Sequence, residues 1–274
     1  MVTQRPAYSA AFAPDVLPSL NAIPQLEDLT AEWAWGDSSG KGIRVAVLDS
    51  GIDATHSAIA GKVAGYVAIN ENEDGSLAYE TEPHGDVYGH GTACAGILRS
   101  FAPDSELYSI RVLGPNLTGK GNVFAAGLRW AIENGMQVCN LSLGTTNREY
   151  FAILHQLADL AYFHNIVLVT AANNMPITSF PSLYASVISV ASTDERDPFV
   201  YYYNPRPPVE FGARGIDVRV AWRDGGFITV TGNSFAAPHI TGLVTRILAK
   251  HPGLAAFHVK AILRALAANV KHPA

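Results

Sequence analysis

Short apolar runs recur along this chain, separated by longer stretches with helical periodicity. Residues 43–48 (IRVAVL) are apolar but for one position and stop at Asp49, ahead of a serine and a glycine. Such a run suits a parallel strand buried on both faces. Similar runs lie at 107–112, 137–141, 166–171 and 187–191, and helical patterns fill 92–99, 123–134, 148–163, 235–250 and 254–268. Strands alternating with helices predict an α/β fold, a doubly wound and mostly parallel central sheet with helices on both faces. Function in such a sheet gathers at the carboxyl ends of the strands, and Asp49 stands at one of these ends. The first thirty residues break the pattern: Pro6, Pro14, Pro18 and Pro24 punctuate a segment with little periodicity. They read as an extended arm, 1–30, ahead of one domain, 31–274. The polar stretch 70–86 carries Glu71, Glu73, Asp74, Glu80, Glu82 and Asp86. A solvated surface loop is expected there, with a cation site or a contact for basic substrate side chains as alternatives.

Composition narrows the function. With 274 residues and 48% hydrophobic positions the chain can bury one large core. A net charge of -5 and a pI near 6.0 give no reason to expect nucleic acid or an anionic membrane surface as partner. No run approaches the roughly 18 apolar residues of a membrane span. The amino-terminal residues lack the charged start and unbroken apolar core of a signal peptide, so a soluble, cytoplasmic protein is expected. Cys94 and Cys139 make no disulfide framework and fall in buried patterns, so free core thiols are expected, with a bridge between them the alternative. Cys94 follows His90 by one helical turn, beneath the site described next. The other histidines, His56, His84, His239 and His251 among them, lack paired metal spacing, and neither HExxH nor CxxC occurs, so no metal site is expected.

Three motifs occur in one order: Asp49 in AVLDSGID, His90 in YGHGTACAG and Ser234 in TGNSFAAPH. A serine hydroxyl becomes a useful nucleophile when a neighbouring base takes its proton, and histidine has the pKa for that exchange. A carboxylate on the other ring nitrogen fixes the tautomer and stabilises the imidazolium as it forms. Asp49, His90 and Ser234 fit these roles. Ser234 is expected just before a helix with Pro238 in its first turn, so the helix would aim N–H groups at developing negative charge. Each motif alone is weak, whereas the three together in the order Asp, His, Ser are strong.

From about Trp33 onward the chain resembles a subtilisin-like serine peptidase of the subtilase family. DSGID, GHGTACAG and GNSFAAPH resemble its three motifs. IRVLGPNLTGKGNVFAAGLRWAIENGMQVCNLSLG follows its succession of strand, substrate loop, helix and strand, and FPSLYASVISVAS the segment behind its specificity pocket. The resemblance implies an oxyanion-hole asparagine after the run 166–171, where the chain reads Ala-Ala-Asn-Asn. Alignment on the strand makes this Asn174, with Asn173 the alternative. It also implies a peptide or protein substrate, with Ser142, Leu143 and Gly144 lining the primary pocket and Gly119, Lys120 and Gly121 pairing with an extended peptide by strand addition. Met175 and Ser179 fall at the pocket mouth and base, and a pocket without an acid or base there predicts apolar side chains before the scissile bond.

The chain departs from the family pattern in places. ILRSFAPDSELY leaves no room for the loop that wraps a tight calcium ion in many secreted members, so no cofactor is expected. Asn233 stands where threonine commonly precedes the nucleophile, and Phe235 where methionine follows it. The arm is shorter than a folding propeptide. These departures lean toward an intracellular or processing endopeptidase, with arm residues 13–25 folding back into the cleft as an autoinhibitor. Two alternatives are a peptide-binding protein with an inert cleft and a ligase-like enzyme whose acyl group passes to an amine.

Overall fold

The computed structural model describes residues 28–206 and 208–270. Of the expected arm only the last three residues fall within it, and the self-interaction of residues 13–25 lies outside the described residues. The strands are β1 Arg44–Asp49, β2 Gly65–Glu71, β3 Leu77–Glu80, β4 Glu106–Arg111, β5 Val138–Leu141, β6 Val167–Ala171, β7 Ile188–Thr193, β8 Tyr202–Tyr203, β9 Phe211–Arg214, β10 Val218–Ala221 and β11 Phe227–Val230. The helices are α1 Ala31–Ala34, α2 His90–Phe101, α3 Gly121–Glu133, α4 Phe151–Phe163, α5 Asn233–Lys250 and α6 Ala256–Ala265.

Nine strands form one sheet in the order β3-β2-β4-β1-β5-β6-β7-β9-β8. All neighbours are parallel except β3 on β2 and β8 on β9, while β10 and β11 pair separately. This is the expected doubly wound α/β sheet with two antiparallel edges. Strand β1 is buried from Val45 to Asp49 because both faces of the sheet are covered. On one face α2 and α5 pack on each other and on the central strands; on the other α3 and α4 do so. Two apolar cores result, one containing Val45, Val47, Leu98 and Ile240, the other Leu48, Ile110, Leu128 and Leu168.

Strand β1 pairs with β4 on one side and β5 on the other. The chain changes sides of the sheet there, which opens a crevice beyond the carboxyl end of β1, at Asp49.

Two sequence expectations are corrected here. Residues 70–86 are not simply a surface loop. The turn after β2 is closed by the Asn72 N–H on Ser76 O and the Ser76 N–H on Asp74 Oδ1, with Gly75 at φ +82°, and β3 returns along β2. The Leu77-Ala78-Tyr79 run after Asp74-Gly75 is its signal. Helix α5 begins at Asn233, so Ser234 lies inside its first turn and Pro238 in its second.

Candidate active site

Asp49 ends β1 fully buried, and His90 opens α2 with 5% of its surface exposed. The two meet because of Gly91. A Cβ there would lie 2.1 Å from Gly51 O and 3.1 Å from the Asp49 Cβ, so only glycine lets the helix end approach the strand end so closely. His90 Nδ1 stands 2.8 and 2.9 Å from the two Asp49 carboxylate oxygens. That contact assigns the proton to Nδ1 and leaves Nε2 to accept one. Burial works against the imidazolium, but the Asp49 charge and hydrogen bond outweigh it and hold His90 well above the ordinary value of 6.5.

Asp86, expected on a surface loop, organises this corner. Its Oδ1 accepts from the Ser50 hydroxyl (2.7 Å) and the Tyr88 and Gly89 N–H groups (2.9 and 2.7 Å). Its Oδ2 accepts from the Thr92 N–H (2.8 Å) and hydroxyl (2.7 Å). Gly89 supplies no side-chain cap to α2, so Asp86 satisfies the orphan donors at its amino end and places negative charge where the helix dipole favours it. Ser50 completes the link by donating its own N–H to Asp49 Oδ1 at 2.8 Å.

Ser234 is held from two sides of one residue. Its Oγ donates to the Ser142 carbonyl at 3.2 Å, and its carbonyl accepts from the Ser142 hydroxyl at 2.7 Å. Ser142, expected to line the substrate pocket, is therefore also a positioning residue. Asn140 Nδ2 donates to the Ser142 hydroxyl at 2.9 Å, and the Thr241 hydroxyl donates to Asn140 Oδ1 at 2.8 Å. All three lie in the interior. Asn140 and Thr241 sit mid-strand and mid-helix, where sequence alone offered only the oddity of polar residues in apolar runs. Ser234 Oγ makes no hydrogen bond to His90 here; a turn about its Cα–Cβ bond releases it from Ser142 into the cleft both residues line.

Asn174 reaches the same helix end. Its Oδ1 accepts the Asn233 N–H at 2.8 Å, which turns its amide toward Gly232: a Cβ there would lie 3.7 Å from Asn174 Nδ2. Asn173 turns back instead, its Oδ1 accepting from the Met175 N–H at 2.8 Å. Asn233, at the position of the common threonine, clamps the neighbourhood: its Oδ1 accepts from the Ser192 N–H, and its Nδ2 donates to the carbonyls of Ala172 and Asn173.

Gly119, Lys120, Gly121, Ser142, Leu143 and Gly144 line one cleft of about 330 Å³ with His90, Ser234, Leu113, Leu117 and Phe124. Gly121 opens α3 under the Tyr150 ring, so the free edge ends at Lys120. Met175 and Ser179 are not in this cleft. They line a neighbouring cavity with Ile177, Leu183 and Val209. The reason is local: Phe180 bridges to Thr145, which sets buried Ser179 behind Gly144, while Met175 is 64% exposed.

Cys94 and Cys139 are free and buried, and the Cys94 Sγ lies 3.9 Å from His90 Nδ1 and 3.5 Å from Ser234 O. Asp49, His90 and Cys94 bring their donor atoms within 4.8 Å of one another, but His90 Nδ1 is already committed to Asp49. His239 is buried within α5. Its Nδ1–H donates to Phe235 O at 2.8 Å, and burial pulls its pKa down to about 4, so it packs as a neutral ring.

The sequence profile described as the Subtilase family matches residues 40–274. The chain belongs to the subtilase family. It is 30% identical to subtilisin DY of Bacillus licheniformis over 84% of its own length and 85% of that protein. It is 30% identical to thermitase of Thermoactinomyces vulgaris over 86% and 85%, and 31% identical to the minor extracellular protease Epr of Bacillus subtilis over 83% of this chain. The chain spans only 35% of Epr. Its fold matches a cold-adapted subtilisin-like serine proteinase with TM-score 0.68 and 25% identity, covering 84% of this chain and 83% of the other. Sphericase shares the fold with TM-score 0.70, covering 88% and 89%. In family and fold this subtilase is a subtilisin-like serine peptidase.

Proposed function

We propose that this subtilase is a serine endopeptidase in which Ser234, His90 and Asp49 act together on peptide bonds. The observation that carries the reading is the buried Asp49–His90 pair, whose histidine lines the same cleft as Ser234. His90 Nε2 takes the Ser234 proton as Oγ attacks the carbonyl carbon, and Asp49 stabilises the imidazolium so formed. The charge on the substrate oxygen is received by the Ser234 N–H at the amino end of α5 and by Asn174 Nδ2. His90 then gives its proton to the leaving amine, and water releases the acyl group by the same steps in reverse.

Leu113, Leu117, Phe124 and Leu143 support an apolar preference before the scissile bond, since besides His90 only Lys120 is ionisable among the described residues lining the cleft. A processing role on selected peptides belongs to the same proposal. Mass spectrometry of a peptide library incubated with the wild type and with Ser234→Ala tests it. New termini formed by water, clustered after apolar residues and lost in Ser234→Ala, support the reading. Joined peptides in place of new termini point to a ligase, and binding without products points to an inert cleft.

A further inference from the structure

Beside the cleft lies a second cavity of about 340 Å³ that shares Leu113, Thr118, Gly119 and Lys120 with it. Three charged residues line this cavity: Glu71, Lys120 and Arg111. Two of them neutralise each other. Lys120 Nζ lies 2.9 Å from Glu71 Oε1, and Asn122 bonds the other Glu71 oxygen. Arg111, the last residue of β4, is different: half-buried, its guanidinium meets no carboxylate, carbonyl or aromatic face among the described residues. Asp49, its register partner on β1, is already bonded to His90 and the Ser50 N–H, and Glu80, two strands away on β3, accepts from Asn70. His84, on the adjoining loop, has its pKa lowered by burial and then by the Arg111 charge, and both oxygens of Asp86 are taken by five donors.

A guanidinium that has given up part of its hydration without gaining a partner is a receptor for a carboxylate, which it matches with two parallel N–H donors. A peptide laid along Gly119 and Lys120 turns alternate side chains to opposite sides, so one of them reaches the cavity between Leu113 and Thr118. We propose that Arg111 is a specificity-determining residue that receives an Asp or Glu side chain of the substrate at one position flanking the scissile bond. This rests on the endopeptidase reading and adds the chemical class of substrate: a peptide pairing an apolar residue at the cut with an acidic residue nearby.

The test uses fluorogenic peptides carrying Glu, Gln or Lys at each flanking position, with kcat/KM measured for the wild type, Arg111→Gln, Arg111→Lys and Arg111→Glu. At one position the wild type favours Glu over Gln by about tenfold or more, as a charge-assisted bond in a half-buried site allows. The ratio falls to about one in Arg111→Gln, persists in Arg111→Lys and turns toward Lys in Arg111→Glu. Equal rates for Glu and Gln at every position in the wild type, or a Glu preference retained in Arg111→Gln, overturn the proposal. Fluorescence anisotropy of the same labelled peptides on Ser234→Ala, with and without Arg111→Gln, reads the site without turnover. If the wild type cleaves nothing but Glu peptides bind more tightly in an Arg111-dependent way, the acidic subsite stands and the peptidase reading falls; equal binding overturns the subsite.

Discussion

Pro238 lies four residues after Ser234, and the carbonyl that a residue-238 N–H would have bonded is held instead by the Ser142 hydroxyl at 2.7 Å. Proline has no N–H, so the helix leaves the Ser234 carbonyl free. Ser142, the residue after β5, then claims it, and takes the Ser234 hydroxyl on its own carbonyl. The proline of the third motif is therefore part of how Ser234 is placed.

Pro238→Ala restores the N–H and lets α5 reclaim the Ser234 carbonyl. The expected result is a kcat at least about tenfold lower, since displacing a reacting group by a fraction of an ångström is costly, with an unfolding temperature equal to or above wild type because alanine favours the helix. Unchanged kcat would show that the Ser142 contact does not place the nucleophile.

Asn174 and Asn173 separate by what their amides already do. Asn174→Ala is expected to lower kcat by about 10² to 10³, the range known for the corresponding donor of subtilisin itself, with KM little changed. Asn173→Ala removes only a turn contact to Met175 and is expected to cost far less. Steady-state kinetics of the two variants decide it, and the reverse order would move the oxyanion role to Asn173.

His90 must be neutral to take the Ser234 proton, so activity is low on the acid side and rises with pH through the folded value. Because Asp49 holds that value above 6.5, the acid limb of kcat/KM has its midpoint above pH 6.5. Asp49→Asn removes the largest influence opposing burial and moves the limb to lower pH while kcat falls throughout. A wild-type limb at or below 6.5, or one unmoved by the substitution, contradicts this electrostatic account.

Much of the fold was legible because buried parallel strands leave continuous apolar runs, and IRVAVL marks β1 within one residue of its observed bounds. The pairing of Asp49 with His90 was legible because the glycine beside His90, Gly91, is dictated by close backbone approach. Hairpin β2–β3 was hidden by its charged turn. Asp86 was hidden too, since one carboxylate that caps a helix looks in sequence like its five acidic neighbours. Met175 and Ser179 line a cavity next to the cleft, and position along a loop does not say on which side of Gly144 a residue lies.

Asp86 gives the corresponding stability prediction. Asp86→Asn turns an amide that must itself donate toward donors that need an acceptor. The expected cost is about 1–3 kcal/mol, a fall of several degrees in unfolding temperature by calorimetry. A change within a degree would mean that the cap does not matter to α2.

In the proposed mechanism His90 and Asp49 make Ser234 a nucleophile. A fluorophosphonate probe, with the modified residue mapped by mass spectrometry, tests it most directly. The account predicts one adduct on Ser234 of the wild type, strongly slowed in His90→Ala and absent from Ser234→Ala. Labelling of Ser234→Ala at the wild-type rate, or no adduct on the folded wild type, would contradict it.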